Sequence, residues 1–247
     1  MVVTNPASGT TVEEIAEGIH RIHTTVVIEG AGGFSFNQYL VVDEEPLLFH
    51  TGPRRMFPLV REAVAHVLPV EEVRWVAFSH VESDESGSLN EWLAVAPRAV
   101  PLCGSVAALV QIGDLADRPP RALAEGEAIS LGHHRVRWLD APHLPHAWDC
   151  GFLSEETTAT LFCGDLFTQV GAGPAITTND LLDAASQADD IFGATCLTPQ
   201  TAPTIRRLAE LEPTTLAIMH GSSYNGETAK ALLALADDYD HRLANAS

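Results

Sequence analysis

The sequence has few basic residues and no long apolar segment, and these absences exclude several classes of protein. Lys and Arg number 14 against 33 Asp and Glu, giving a formal net charge of −19, which argues against nucleic acid or an anionic membrane as a partner. No apolar run approaches the roughly 20 residues that a membrane-spanning helix requires. The N-terminus is polar and acidic and lacks the basic and apolar regions of a secretory signal. We therefore expect a soluble cytoplasmic protein.

Cysteine is also scarce, and its spacing excludes two kinds of metal site. The cysteines stand far apart and form no C-x-x-C pair: Cys103, Cys150, Cys163 and Cys196. This spacing argues against a rubredoxin-like site and against a four-cysteine zinc module. We expect buried free thiols in a reducing compartment.

Apolar residues make up 46% of the 247-residue chain, so it can bury a substantial core and disorder is excluded. No repeat or linker divides it, and we expect a single domain over residues 1–247. Apolar patterns predict strands over residues 18–28, 36–42, 46–53, 73–78, 98–104, 133–142, 157–167 and 214–221. Helical spacing predicts helices over residues 56–68, 88–96, 105–112, 185–196, 202–212 and 226–244. This alternation predicts an α/β fold with two sheets between helices and a site at the carboxyl ends of strands.

One acidic segment, "FSHVESDESGSL", follows the apolar run "VRWVAF". His80, Glu82 and Asp84 alternate, so an extended backbone would project them to one side. Glu85 would then point elsewhere, unless the backbone turns. Carboxylates this close repel one another unless they are solvated or share a cation. The segment alone therefore indicates either a metal site or a solvent-exposed loop.

Three further polar residues stand where apolar strands end, namely His146, Asp165 and His220. They favour the metal site over the exposed loop. His143 is the alternative to His146 as a ligand. His133 and His134 fall in a predicted turn, where we expect them to be exposed.

Together these motifs resemble the metallo-β-lactamase fold in its flavodiiron and oxygen-binding diiron branch. The resemblance covers essentially the whole chain and includes eighteen residues between His146 and Asp165. It implies an αββα sandwich of two mixed sheets flanked by helices. His50 stands where the superfamily usually has Asp. It is either a hydrogen-bond donor to a ligating carboxylate or a structural residue.

The resemblance implies a ligand set for two iron ions. One ion would take His80, Glu82 and His146. The other would take Asp84 and His220, with Asp165 bridging the two. Glu82 stands where zinc hydrolases of this fold usually have His, and a harder, more anionic site favours iron or manganese over zinc.

Glu85 departs from the family pattern, which usually has His directly after the Asp. Glu85 either replaces that ligand or turns away as a surface residue. Trp148, close to His146, either forms a wall of the pocket or belongs to the core.

The function that the resemblance implies is reduction of O2 or NO, or oxygen binding for sensing. The sequence has no flavodoxin-like phosphate loop, so we expect no FMN and a separate electron-donor protein. A homodimer is common in the resembling family. Two alternatives stay open: a dinuclear zinc metallohydrolase, and a diiron oxygenase acting on a small organic substrate.

Overall fold

The first of two sheets is built from the N-terminal half of the chain. The computed structural model describes residues 1–28 and 32–246. Within those residues this sheet has eight strands, in the spatial order β1-β2-β3-β4-β5-β6-β7-β8. Their bounds are β1 Val2–Asn5, β2 Thr10–Ala16, β3 Ile19–Ile28, β4 Gly32–Val41, β5 Leu47–Phe49, β6 Trp75–Ala77, β7 Val100–Gly104 and β8 Arg121–Leu123.

The second sheet follows it in the chain and has the spatial order β13-β15-β14-β12-β11-β10-β9. Its strand bounds are β9 Ala128–Ser130, β10 Arg135–Asp140, β11 Gly151–Glu155, β12 Thr160–Phe162, β13 Ile176–Thr177, β14 Thr215–Ala217 and β15 Ser223–Tyr224. Both sheets are mixed. β5 to β8 pair in parallel beside antiparallel neighbours, and the β12–β14 pair is parallel beside the antiparallel β11–β12 pair.

Helices connect the strands and cover the outer faces of the sheets. Their bounds are α1 Phe57–Val67, α2 Leu89–Val95, α3 Ser105–Ala107, α4 Gly113–Leu115, α5 Leu182–Phe192, α6 Thr201–Ala209 and α7 Thr228–Asn245. A π-helical turn, Ala108–Ile112, joins α3 to α4. In the part of the chain that the structure describes, no helix is both long and apolar enough to cross a membrane.

The apolar core forms three layers, which together make an αββα sandwich. Between the sheets, Phe49 of the first packs in one cluster with Trp138 and Phe162 of the second. Outside the first sheet, Leu48 belongs to a cluster with α1 and α2. Because successive side chains of a strand point to opposite faces, the short strand β5 contributes to both layers and is buried at every residue. Outside the second sheet, Phe152 packs in a cluster with residues of α5, α6 and α7.

The predicted fold class is therefore confirmed, although several strands were not predicted. The strands that were not predicted from the sequence are β1, β2, β8, β9, β11, β13 and β15. β8 and β9 are three residues long, too short for a periodic pattern to distinguish them from loops. Their positions are instead fixed by pairing with the neighbouring strands β7 and β10.

Candidate metal centre

Several strands end at one edge of the sandwich, and the polar residues that follow them meet there. His80 follows β6, Asp165 follows β12 and His220 follows β14, while His146 lies in the loop after β10. The parallel pairing of β12 with β14 places the carboxyl ends of both strands at the same edge. The structure brings all seven sequence-predicted side chains together: His80, Glu82, Asp84, Glu85, His146, Asp165 and His220.

The acidic segment reaches this edge as a turn, and the predicted extended conformation is wrong. β6 ends at Ala77, and the backbone then coils so that Ser86 N donates to Glu82 O at 2.9 Å. A turn of this kind brings residues three apart to the same side. It therefore places Glu85 beside Glu82, where an extended strand would direct it away.

Residues after β5 hold this turn in place. Thr51 N donates to Glu85 O at 2.7 Å, and Ser88 N donates to the Thr51 hydroxyl at 3.0 Å. Gly87 allows the backbone to pass itself closely, since a Cβ there would lie 2.1 Å from Ser83 O. The conformation of this turn is thus determined by tertiary contacts as well as by its own sequence.

His80, Glu82, His146 and Asp165 form the first group of ligand atoms. Glu82 Oε2 lies 3.1 Å from His80 Nε2 and 3.0 Å from His146 Nε2. Asp165 Oδ2 lies 3.6 Å from His80 Nε2 and 3.5 Å from His146 Nε2. His80 is fully buried, whereas the Glu82 side chain is 51% exposed. This group therefore reaches from the interior to the surface of the protein.

Asp84, Asp165 and His220 form the second group. His220 Nε2 lies 3.3 Å from Asp84 Oδ2 and 3.4 Å from Asp165 Oδ1. Asp165 thus directs one carboxylate oxygen to each group. Phe34 stacks on the His220 ring with centroids 4.4 Å apart and shields this group on one side.

Glu85 lies between the two groups and is only 1% exposed. The alternative that it turns away as a surface residue is therefore wrong. Its Oε2 atom lies 4.0 Å from His80 Nε2 and has no hydrogen-bond partner among the residues described. A buried carboxylate oxygen that accepts no hydrogen bond is unfavourable unless a cation binds it.

The pKa values show how the metal-free centre distributes its protons. Burial, followed by repulsion from Asp165 and Asp84, raises the pKa of Glu85 well above its ordinary value. Burial would also raise the pKa of Asp165, but hydrogen bonding and attraction from His220 keep it well below its ordinary value. Burial opposes protonation of His220, yet hydrogen bonds with Asp165 and Asp84 raise its pKa to about 10. Protons thus balance the carboxylates in the absence of metal.

Hydrogen bonds on the far side of two imidazoles fix which nitrogen faces the centre. His220 Nδ1 donates to Ser35 O at 2.7 Å, which leaves Nε2 for a metal. His80 Nδ1 lies 2.9 Å from the Ser79 hydroxyl, which lies 3.1 Å from His50 Nε2. Among the residues described, His50 bonds to no ligating carboxylate, so the structural alternative for this residue holds. Its two ring nitrogens instead contact the neighbours of two candidate ligands, Ser79 before His80 and Met219 before His220.

The spacing and chemistry of these residues suit two divalent transition-metal ions. Two ligand atoms about 2.1 Å from one ion, at octahedral to tetrahedral angles, lie about 3.0–3.4 Å apart, and the nitrogen–oxygen distances in both groups, 3.0–3.6 Å, are close to this spacing. The four carboxylates carry a total charge of −4 and would also balance two divalent cations. Imidazole and carboxylate ligands without thiolate suit iron, manganese or zinc.

Other candidates from the sequence lie away from the centre. His143 and His133 are exposed. Trp148 is 55% exposed, so it does not belong to the core, and it is not among the residues that line the cavity beside the centre. His134 was expected to be exposed but is buried, with Nδ1 3.1 Å from Glu155 Oε1. The cysteines are free thiols, buried except for a half-buried Cys196.

A cavity of about 250 Å³ opens onto the centre. Five of the seven candidate ligands line it, and the inner residues His80 and Glu85 do not. Its other walls come mainly from α5 and from the side chains Phe34, Phe167 and Tyr239. These residues were not predicted from the sequence, because nothing in their local pattern distinguishes a cavity wall from the core.

Comparison with known proteins finds a matching family model and similar curated proteins. A family model described as "ODP family beta lactamase" matches residues 34–221, which include all seven candidate ligands. "Putative diflavin flavoprotein A 2" of Nostoc sp. is 28% identical over 137 residues, covering 55% of this chain and 24% of that protein. The chain thus spans about a quarter of the length of this curated relative.

Solved structures of similar fold agree with the sandwich described above. Rubredoxin oxygen:oxidoreductase from Desulfovibrio gigas has a TM-score of 0.75 and 18% identity, covering 95% of this chain and 62% of that one. The flavodiiron protein from Giardia intestinalis has a TM-score of 0.76 and 17% identity, covering 93% of this chain and 59% of that one. At these identities the likeness demonstrates the fold alone.

Proposed function

The chain belongs to the ODP family of the β-lactamase fold, and on this premise we propose that it is a non-haem diiron protein that binds O2 or NO. His80, Glu82 and His146 would hold one iron, and Asp84, Glu85 and His220 the other. Asp165 would bridge them. Iron held by these residues would supply the redox chemistry for binding or reducing a diatomic molecule.

The observation that carries the proposal is the position of Asp165. Its Oδ2 atom faces His80 and His146, while Oδ1 faces His220. A carboxylate with one oxygen directed at each of two ligand groups suits a pair of ions better than a single ion. The name of one similar protein, a flavodiiron protein, supports iron as the metal.

The residues of the chain itself would hold the ligands in position and limit access of water. Ser35 orients the His220 ring, and Ser79 orients His80. Phe34 and Phe36 pack against His220, at ring-centroid distances of 4.4 and 5.4 Å. A low-dielectric wall of this kind strengthens the interaction of the carboxylates with a bound cation.

The source of electrons separates two forms of the proposal. A separate electron-donor protein would make the chain an O2 or NO reductase, with sustained turnover. Without such a donor the centre would bind O2 once per reduced site and act as a sensor. Sustained O2 consumption in the presence of a supplied reductase favours the first, and uptake of one O2 per diiron centre favours the second.

The test is anaerobic purification, reloading with Fe(II), metal analysis and spectra before and after addition of O2 or NO. We expect two iron ions per chain and a spectrum that changes on addition of either gas. Asp165→Ala should lose the second iron and the spectral change. Asp114→Ala, at an exposed position, is the matched control and should retain both.

Protein that takes up no iron, or whose spectrum ignores both gases, contradicts the proposal. Retention of two zinc ions with hydrolysis of an ester or lactam would favour the zinc metallohydrolase instead. Glu82 argues against that alternative, since a carboxylate in place of an imidazole makes the site harder and less suited to zinc.

A second candidate, a diiron oxygenase, is favoured by the size of the cavity. At about 250 Å³ it is far larger than a diatomic molecule needs, since a water molecule occupies only about 30 Å³ in the liquid. An organic substrate held there would adjoin the metals.

A further inference from the structure

We propose that the cavity beside the metal centre binds a neutral organic molecule with a single aromatic ring. This inference rests on the proposed function, because the bound metals are needed to neutralise the carboxylates at the cavity's inner end. It deepens that function by naming the class of ligand that would meet the centre.

The volume sets the size of the ligand. The cavity measures about 250 Å³, and an apolar protein cavity of about 150 Å³ is large enough to bind benzene. A single ring with one or two substituents therefore fits. A much larger molecule would extend through the opening into solvent.

The space exists because α5 presents small side chains to it. Ala185, Ala188 and Phe192 line the cavity and lie on one face of the helix, at spacings of three and four residues. The two alanines are buried, so larger side chains at these positions would fill the space. Phe192 is 51% exposed and contacts Phe34 edge to face at 5.5 Å. These two rings are among the four Phe and Tyr side chains that line the cavity, and an aromatic ligand can stack on them.

The charges around the cavity favour a neutral ligand. No Lys or Arg is among the lining residues, whereas four carboxylates are: Glu82, Asp84, Asp165 and Asp189. The lining imidazoles, His146 and His220, would be neutral when they ligate metal, so an anionic ligand would find no cationic side chain there. The first three carboxylates would be neutralised by the metals. Asp189 already accepts a hydrogen bond from Thr195 N at 3.1 Å and lies 3.5 Å from an Arg242 nitrogen, so no free carboxylate is left to hold a cation.

Two hydroxyl groups supply a polar contact. The Thr195 hydroxyl and the Tyr239 hydroxyl lie 3.1 Å apart, and both residues line the cavity. Each hydroxyl can donate one hydrogen bond and accept two, so the pair has capacity left for a substituent on the ring. A phenol matches the whole cavity, with an aromatic body and one polar group.

The test is calorimetric titration of anaerobic, iron-loaded protein with phenol, and with benzoate as the anionic comparison. We expect phenol to bind, and benzoate to bind at least about tenfold more weakly. Ala188→Phe should weaken phenol binding at least about tenfold. Gln187→Phe, one position away on the exposed side of α5, should bind phenol as the wild type does. Iron content and the response of the spectrum to O2 are measured on every sample.

Two results would overturn the inference while leaving the proposed function intact. One is an absence of phenol binding to protein that holds two irons and responds to O2. The other is undiminished phenol binding by Ala188→Phe with its iron retained. If Ala188→Phe loses its metal, Phe192→Ala provides the test instead, since removing this half-exposed ring adds no bulk to the core. We expect weaker binding of phenol, and unchanged binding would overturn the inference. Failure of the wild type to hold iron contradicts the proposed function itself.

Discussion

The carboxyl group of Glu85 faces opposite requirements in the metal-free and the metal-loaded protein. It is buried, its Oε2 atom has no hydrogen-bond partner in the described part of the chain, and Asp84 and Asp165 repel its charge. We predict that Glu85→Gln stabilises the metal-free protein and reduces the stabilisation that metal provides. Glutamine keeps the shape of the side chain, and its amide can donate to the neighbouring carboxylates.

The size of the effect follows from the cost of a buried polar group without adequate partners, about 1–3 kcal/mol. In a protein of this length, each 1 kcal/mol shifts the melting temperature by about 2–4 °C. The metal-free variant should therefore melt about 2–12 °C above the wild type at pH 7. In the iron-loaded protein the variant lacks one of four carboxylates, so the rise in melting temperature on loading should be smaller than in the wild type.

The difference in stability between the variant and the wild type should also depend on pH. Because folding raises the pKa of Glu85 above its ordinary value of 4.5, the folded protein retains a proton that the unfolded chain releases above that pH. Its contribution to the free energy of unfolding therefore falls as pH rises above about 4.5. Glutamine does not titrate, so the advantage of the variant should be larger at pH 7 than near pH 4.

Calorimetric melting of chelator-treated and iron-reloaded protein at both pH values measures these differences. Glu17→Gln, at an exposed position, is the matched control and should change neither melting temperature by more than about 2 °C. The reasoning is refuted if Glu85→Gln lowers the melting temperature of the metal-free protein. It is equally refuted if the variant shifts the metal-free and loaded proteins by the same amount.

Three further predictions follow from the same geometry. Ser79→Ala removes the hydroxyl that orients His80 and should weaken metal affinity by about 10–100-fold, measured by competition with a chelator; full affinity would contradict this role. Metal uptake at pH 7 should release protons and strengthen as pH rises, because His220 has a pKa raised to about 10 and must lose its proton to ligate; calorimetry in buffers of different ionisation enthalpy counts them, and a count of zero refutes it. Gly87→Ala forces a Cβ to 2.1 Å from Ser83 O and should destabilise the protein by about 1–3 kcal/mol in chemical denaturation; an unchanged midpoint argues against this close approach.

The sequence predicted which side chains come together better than it predicted their conformation. Each candidate was found because a polar side chain follows an apolar strand, and this signal is local. The geometry of the acidic segment is not local. It depends on Thr51, some thirty residues earlier, whose amide binds the Glu85 carbonyl. The alternation of His80, Glu82 and Asp84 suggested a strand, and the tertiary contact produces a turn.

For the same reason, local sequence patterns could not predict how the two sheets pack against each other. Asn37 of β4 donates through Nδ2 to Ile218 O and Gly221 O, both at 2.8 Å. The Tyr39 hydroxyl also donates to Ile218 O, at 2.6 Å. These bonds join residues about 180 positions apart and hold the segment that carries His220. Apolar periodicity predicts that such strands exist, but it contains no information about which strand lies opposite which.

Glu85 illustrates how far a departure from a family pattern can be interpreted. A local pattern cannot decide between ligand and surface residue, because the decision depends on the turn. Once the turn is known, the carboxyl group cannot reach solvent, and its charge must be met by protons or by metal. In the diiron centre proposed above, four carboxylates would balance two divalent ions, so each electron lost by the metals would leave less excess positive charge than with an imidazole at this position. Glutamate at this position would therefore favour the more oxidised states of the proposed centre, which is the direction that the proposed oxygen chemistry requires.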